Sequence, residues 1–489
     1  MGSLPLDASL RPLDPEAFSG ESRAVVDFLA EYYRGVDKYP VRAADLEPGL
    51  LRKLLPGAAP EHGEPLEDVL EDVRRDILPG LTHWQSPNFF AYFPMNASAA
   101  GFAGEMLSVG LNVVPFVWAA SPAAAELEAV VVDWMGKLLG LPQRLLFSGG
   151  GGGVLQGSTC EAVVCTLAAA RDRAMAKLGH EAITKLVVYA SDQTHATFQK
   201  GARLVGIPAV QLPRHPDVGV LRVRTDRRRR SRRRLIVTSP AALCPCTSVP
   251  RWAQRGFGAA RPRCAAEEAR RHGMWLHRGH LPEFQGYLDG AELADSVSMN
   301  PHKWFLTNTD CCCLWVASPR ALTSALSTDP EYLKNVGTNG TGKPAAIDYK
   351  DWQISMSRRF RAIKLWVVLR RYGADGLRAH VRRHVAAAKW FEQTVAADER
   401  FEVVVPRRFS LVCFRLRPRS VGDEAAVNNV NRKLLAALNE SGRAFMTHFV
   451  VDGKFMIRLA VGGSMTDMQH VMDVWELLQD QADHVLRRF

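Results

Sequence analysis

The sequence predicts an α/β protein: a mostly parallel central sheet clad in helices, with a helical N-terminal segment and a small α+β C-terminal domain. Three observations carry this prediction. Short apolar strands alternate with helical stretches from residue 86 to about 365, the order that parallel sheets require because each crossover needs a helix. At 489 residues the chain exceeds a single core and suits two or three domains. Apolar residues at 47% and charged residues at 23% give a globular composition.

In "ESRAVVDFLAEYYRG", residues 21–35, apolar side chains at 25, 26, 28, 29, 32 and 33 form one helical stripe. "LEDVLEDVRRDILPGL", 66–81, reads as a second helix ended at Pro79-Gly80. Residues 1–85 are thus helix and loop with little apolar surface of their own, and are expected to pack on a partner subunit or domain. Residues 86–365 form the large domain. There "LVVYAS" (186–191), "DSVSMN" (295–300) and "CCCLWVAS" (311–318) read as buried strands, and "CEAVVCTLAAARDRAMAKLG" (160–179) as a helix. Residues 366–489 hold a helix (373–395), strands at 410–417 and 454–462, and a closing helix, which together make a smaller α+β domain.

The net charge of +11 is local: residues 222–271 hold 15 Arg against 3 acidic residues, and the remaining chain is near neutral. A nucleic-acid binder spreads basic residues over a face and interleaves aromatics, so a single block argues against that function. Nine cysteines, odd in number and clustered, fit reduced thiols rather than a disulfide framework. Cys244 and Cys246 have no second pair at zinc spacing, so no metal is expected. No apolar run reaches the roughly 20 residues of a membrane span. The first residues lack the basic-then-apolar signal pattern, and the expected location is the cytoplasm.

Three stretches carry chemistry. In "SGGGGGVLQGSTCEAVVCTL", 148–167, glycines run into Gly157-Ser158-Thr159 where a helix starts. Backbone N–H groups and the helix dipole there suit a phosphate, with Ser158 or Thr159 as cap and donor; a flexible loop with an ordinary cap is the alternative. In "SMNPHKWF", 298–305, a strand ends at Pro301 and presents His302-Lys303-Trp304 at the end where α/β sheets bind ligands. A lysine against Trp and Phe loses solvation and becomes a nucleophile for carbonyls, although taken alone such a lysine is more often a surface residue. In "SDQTHATFQKGARLVGIP", 191–208, His195 follows a strand and either stacks on an aromatic ring or caps a helix. A phosphate seat, a strand-end lysine and a strand-end histidine together suggest pyridoxal phosphate.

With "THWQSPNFFAYFP", "FSGGGGGVLQGSTCEA", "YASDQTHATFQKGA", "ADSVSMNPHKWFLTNTDCCCLWV", "STDPEYLKN" and "DYKDWQISMSRRFRAIKLW", the chain resembles the plant aromatic L-amino-acid decarboxylases, the tyrosine/tryptophan decarboxylase family. The resemblance covers roughly residues 10–210 and 268–489. It implies the fold of type I pyridoxal-phosphate enzymes and a homodimer with the active site at the subunit interface. Lys303 would form the Schiff base with the cofactor, and His195 would stack on its ring. Ser158, Thr159, Asn300 and His302 would hold its phosphate. Trp84, Tyr92, Phe93, Pro94 and Phe116 match the family's aromatic wall for the substrate side chain. Tyr332, in a lid from the neighbouring subunit, matches the tyrosine that protonates the carbanion after CO2 leaves. Where the family has phenylalanine at that position the product is an aldehyde, so Tyr332 favours an amine over aldehyde synthesis. Ser357 occupies a pocket-floor position that is Gly in indole-accepting relatives, which favours tyrosine over tryptophan. Pro115, in place of a common glycine, narrows the pocket edge and works against that preference.

The pattern breaks in the middle. After "MWLH" the family carries the aspartate that keeps the cofactor's pyridine nitrogen protonated; here His277 is followed by "RGHLPEF", shorter and without that aspartate. Residues 215–283 depart from the family, and Arg, Ala and Pro make up 22 of the 43 residues in 222–264. That is the composition of GC-rich coding sequence read out of frame, with a true basic insertion as the alternative. Nine arginines within 222–234 cannot fill a buried strand without partners. The expectation is an aromatic-amino-acid decarboxylase family chain that is catalytically impaired.

Overall fold

Asp14 begins the first helix. Its carboxylate accepts the N–H groups of Glu16 (3.1 Å) and Ala17 (3.0 Å), and Pro15 takes the first helical position, where no N–H is needed. The computed structural model describes residues 13–44, 46–188, 195–207, 221–225, 236–237, 291–328, 346–418, 422–451 and 453–487. The principal helices are α1 (Pro15–Gly35), α2 (Leu66–Asp72), α3 (Ala99–Leu111), α4 (Pro122–Leu138), α5 (Thr159–Leu178), α6 (Ala196–Leu204), α7 (Pro319–Leu326), α8 (Arg361–Ala397), α9 (Glu424–Glu440) and α10 (Met468–Arg487). The strands are β1 (Gly152–Gln156), β2 (Leu186–Val188), β3 (Leu221–Thr225), β4 (Ile236–Val237), β5 (Ser296–Met299), β6 (Cys312–Val316), β7 (Phe401–Arg408), β8 (Leu411–Leu416), β9 (Thr447–Val451) and β10 (Lys454–Ala460).

The helix expected over 66–81 is α-helical only to Asp72. It widens to a π turn at Val73–Ile77 and ends in a 3-10 turn at Leu78–Gly80, where Pro79-Gly80 stops it. The glycine run also differs from its reading as a loop: Gly152 and Gly153 belong to the buried strand β1. A Cβ on Gly153 would lie 2.4 Å from Val132 Cγ1, so glycine there lets α4 sit directly on the sheet.

The chain divides into two compact units, Met95–Arg382 and Met1–Pro94 with Arg383–Phe489. The first contains a six-stranded sheet in the order β1-β6-β5-β4-β3-β2. Four of these strands, β1, β5, β4 and β2, share one direction, as an α/β sheet demands, but only β4 and β5 are parallel neighbours. The reversed β6 lies between β1 and β5, pairing Leu155 with Cys313 and Ser298 with Leu314. β3 is reversed between β4 and β2, so direct pairing within this sheet is more antiparallel than the sequence predicts. Trp315 is fully buried and donates its indole N–H to Val132 O at 3.1 Å, which fixes β6 against α4.

Among the described strands β1 lies at the sheet edge, yet its five residues are all buried. The outward backbone groups of Leu155 therefore need partners. Glu128 of α4 accepts the Leu155 N–H (2.7 Å), and Arg358 donates to the Leu155 carbonyl (3.0 Å). Glu128 and Arg358 pair at 2.6 and 2.8 Å with side chains 1% and 0% exposed, and the guanidinium lies 4.5 Å from the Tyr349 ring centroid.

The second unit holds the antiparallel sheet β7-β8-β10-β9, with α9 packed on β10 and on α10. Its core includes Phe391, Phe414 and Trp475, with the Phe391 and Trp475 rings edge-on at 5.9 Å. The long α8 breaks at Gly373 (φ 60°, ψ 177°), a conformation that glycine adopts without steric cost. The segment before that break, like β7, α9 and β9, was not marked by the sequence pattern. No helix among the described residues is long and apolar enough to cross a membrane.

Candidate active site

β1 and β5 run in the same direction, so their C-terminal ends lie at one edge of the sheet. β1 leads through Gly157 into α5. Ser158 caps that helix, accepting the Glu161 N–H at 3.3 Å, while Glu161 accepts the Gly157 N–H at 3.1 Å. This resembles a capping box, with Glu161 reaching the residue before the cap; the Ser-x-x-Glu spacing is the sequence signal that points to Glu161. β5 ends at Asn300, whose amide donates to Thr159 Oγ1 at 2.7 Å. Four of the predicted phosphate and lysine positions are thus tied together: Thr159 to Asn300, and Asn300 through one helical turn, Pro301–Trp304, to His302 and Lys303. The start of the reversed β6 closes the same end, with Cys312 Sγ 4.0 Å from Thr159 Oγ1.

His302 is buried. Its Nδ1 accepts the Cys311 N–H at 3.0 Å, which leaves Nε2 to carry the proton of the neutral ring. Burial, and then the charge of Lys303, push its pKa from the usual 6.5 down to about 4. His195 caps α6, accepting the Thr197 N–H on Nδ1 at 3.1 Å. Its pKa is lowered too, first by burial and then by Lys303. The lysine charge therefore reaches both histidines, and Lys303 itself is half-buried between His302 and the buried Trp304 and Phe305.

The remaining predicted positions distribute as follows. Phe116 accepts the Lys350 N–H at 2.8 Å, which joins it to the segment that carries Ser357. Ser357 is exposed, and its carbonyl accepts from Gln353 at 3.4 Å. Trp84, Tyr92, Phe93 and Pro94 lie in the other unit. Trp84 stacks on Tyr92 at 5.6 Å, and buried Arg458, unmarked in the sequence, lies over the Phe93 ring at 5.1 Å and donates to the Tyr92 carbonyl at 3.3 Å. Tyr332 and, apart from 221–225 and 236–237, the altered residues 215–283 lie outside the described residues.

A family model described as the pyridoxal-dependent decarboxylase conserved domain matches residues 48–241 and 262–417. The chain belongs to the pyridoxal-dependent decarboxylase family. The match runs through the arginine run and skips only 242–261, a narrower interruption than the sequence alone marks. This family member is 49% identical to phenylacetaldehyde synthase from Petunia hybrida, over 97% of this chain and 96% of that one. It is equally, 49%, identical to tyrosine decarboxylase 4 from Petroselinum crispum, over 98% of this chain and 95% of that one. Among solved structures it is similar to tryptophan decarboxylase from Catharanthus roseus in complex with L-tryptophan: TM-score 0.81, 42% identity, 97% of this chain and 100% of that one.

At the phosphate seat and the lysine, the residues present fit the family's cofactor. A Cβ on Gly157 would stand within 3.3 Å of three charged side chains, so only glycine leaves the turn open at the seat. Around it Ser158, Thr159, Asn300 and the neutral His302 supply uncharged donors, and Lys303 supplies an amine for the aldehyde.

Two buried histidines tie stability to acid. His302 and His384 both have pKa values lowered from 6.5 to about 4, chiefly by burial. Between those values the unfolded chain binds protons that the folded chain refuses, so stability must fall as pH drops from 6.5 toward 4. Thermal melts across that window are expected to show a steadily falling midpoint, with a shallower fall in His302→Gln; equal slopes for both proteins would contradict the assignment.

Proposed function

We infer that this chain removes the carboxyl group of an aromatic L-amino acid, tyrosine ahead of tryptophan, to give the amine and CO2. The observation that carries this reading is Lys303 at the C-terminal end of β5, tied through Asn300 to Thr159 and electrostatically coupled to His302 and His195. Pyridoxal phosphate, when bound, supplies a carbonyl for the lysine amine and an electron-poor ring that takes up the electron pair of the broken bond. Ser158, Thr159, Asn300 and His302 would hold the phosphate; His302 does so as a neutral donor at any pH well above 4. His195, its Nδ1 committed to the cap of α6, would cover the ring. The stacked Trp84 and Tyr92 support a flat aromatic substrate. Tyr332 returns one proton to the substrate Cα after CO2 departs. The helix α1 has no buried residue, and Phe18 on it is 51% exposed; this supports an N-terminal segment, 1–85, that packs in a homodimer.

A second reading, aldehyde synthesis, is favoured by the equal identity to the Petunia enzyme. Products separate the two. The expected products are amine and CO2, and Tyr332→Phe is expected to shift them toward aldehyde, ammonia and hydrogen peroxide, with dioxygen as oxidant. Aldehyde as the main product of the unsubstituted chain would reverse the assignment. The third reading is an impaired enzyme, because His277 is followed by Arg278-Gly279-His280 and not by the ring-nitrogen aspartate. Each unit of pKa lost at that nitrogen is worth about 1.4 kcal/mol, so turnover is expected to be orders of magnitude below ordinary enzyme rates.

A further inference from the structure

Three charged groups converge on the phosphate seat that the function does not use. A Cβ on Gly157 would meet Asp310 Oδ2 at 2.8 Å, Glu161 Oε1 at 3.0 Å and Arg361 Nη2 at 3.3 Å. Two carboxylates and one guanidinium therefore face the point where the backbone turns into α5. A dianionic phosphate beside two carboxylates is repelled unless their charge is offset.

Arg361 is placed to do this. Its Nε and Nη2 both donate to Asp310 Oδ2, at 3.1 and 2.8 Å. The Arg361 side chain is 13% exposed and that of Asp310 26%. Burial pushes the Asp310 carboxyl up, but its bonds to Arg361 and the nearby Lys364 bring it below the usual carboxylate range, so both partners are ionised at neutral pH. Lys364 donates to the Asp310 carbonyl at 2.9 Å and pairs with Glu105 at 2.8 Å, which anchors the same loop from below. Arg359 pairs with Glu105 as well. The residue after Asp310 is Cys311, whose N–H holds His302 Nδ1 at 3.0 Å. Asp310 is thus connected to the seat twice, at Gly157 through space and at His302 through its neighbour.

We propose that Arg361 is the positioning and counter-charge residue of the phosphate seat: it cancels Asp310, fixes the Asp310–Cys311 loop that orients His302, and lets the Gly157 turn accept an anion next to Glu161. The inference rests on the pyridoxal-phosphate reading of that seat. Neither Arg361 nor Asp310 has a local sequence signal, since 51 residues separate them.

The test is titration of the full chain with pyridoxal phosphate, followed by its absorbance, with inorganic phosphate as competitor and apo-protein melting as control. Arg361→Gln is expected to weaken cofactor affinity about 30-fold, the scale of one charge-assisted interaction. Asp310→Asn is expected to bind about tenfold more tightly than the parent, because a repelling charge is gone while Arg361 remains. Arg361→Gln combined with Asp310→Asn is expected to recover most of the lost affinity. A merely structural pair gives the opposite pattern: lower melting points in each variant, affinity within about threefold of the parent, and no recovery in the double variant. Should Arg361→Gln fail to fold, Asp310→Asn alone decides, since weaker binding by that variant overturns the counter-charge argument. A parent chain that binds no pyridoxal phosphate overturns the functional reading and this proposal together; a binding parent with unaffected variants overturns this proposal alone.

Discussion

Lys303→Ala is expected to mix with pyridoxal phosphate without the visible absorbance band that the parent chain develops, and to turn over at least about 1000-fold more slowly, roughly 4 kcal/mol of barrier. The reason is positional. Lys303 follows directly on His302 in a one-turn helix whose preceding residue, Asn300, is bonded to Thr159 across the end of the sheet. Lys364 also reaches that end, through the Asp310 carbonyl, but it is committed to an ion pair with Glu105, as Lys350 is with Asp351. A band in the parent that disappears in Lys303→Ala means that the site assembles despite the altered residues 215–283. A band that survives the substitution removes Lys303 from its role. No band in either protein means that the altered middle has cost the chain its cofactor, and that decarboxylation belongs to its relatives.

Arg358→Met should lower stability by about 3–5 kcal/mol, because it leaves the Glu128 carboxylate buried without its partner. Urea or thermal unfolding measures this directly, and a loss under about 1 kcal/mol would contradict the assignment. Replacing both residues with apolar ones, Glu128→Leu with Arg358→Met, commonly restores stability when a buried ion pair does nothing else. Here it should not restore it fully. The pair also satisfies the N–H and carbonyl of Leu155, and each orphaned backbone group costs about 1–3 kcal/mol. A double variant as stable as the parent would show that the Leu155 contacts contribute nothing.

Much of this was legible locally. The strands expected at 295–300, 311–318 and 454–462 appear as Ser296–Met299, Cys312–Val316 and Lys454–Ala460, because buried strands advertise themselves as short apolar runs. His302 and Lys303 stand at the predicted strand end for the same reason. The start of α1 was placed late because the apolar stripe begins inside the helix, whereas Asp14 and Pro15 mark its true start by capping chemistry. Strand pairing was not legible: nothing in "CCCLWVAS" says that it runs backward between two strands that precede it in the chain. Ion pairs were the least visible. Glu128 and Arg358 are 230 residues apart, and charge alternation along a helix says nothing about a partner at that distance. His195 illustrates a middle case: both alternatives for it were readable, and the structure shows the cap while leaving the ring near the lysine charge.

The buried pair on β1 has a further consequence, for solubility. An edge strand with free backbone groups is a template for another molecule's strand. Leu155 offers no such template, since its donor and acceptor are both engaged by side chains. A chain that loses Arg358 therefore loses more than a charge: the Leu155 carbonyl on this edge is left without its partner. Its unfolding should then depend on protein concentration and end in precipitate, while a destabilised variant with the pair intact should refold.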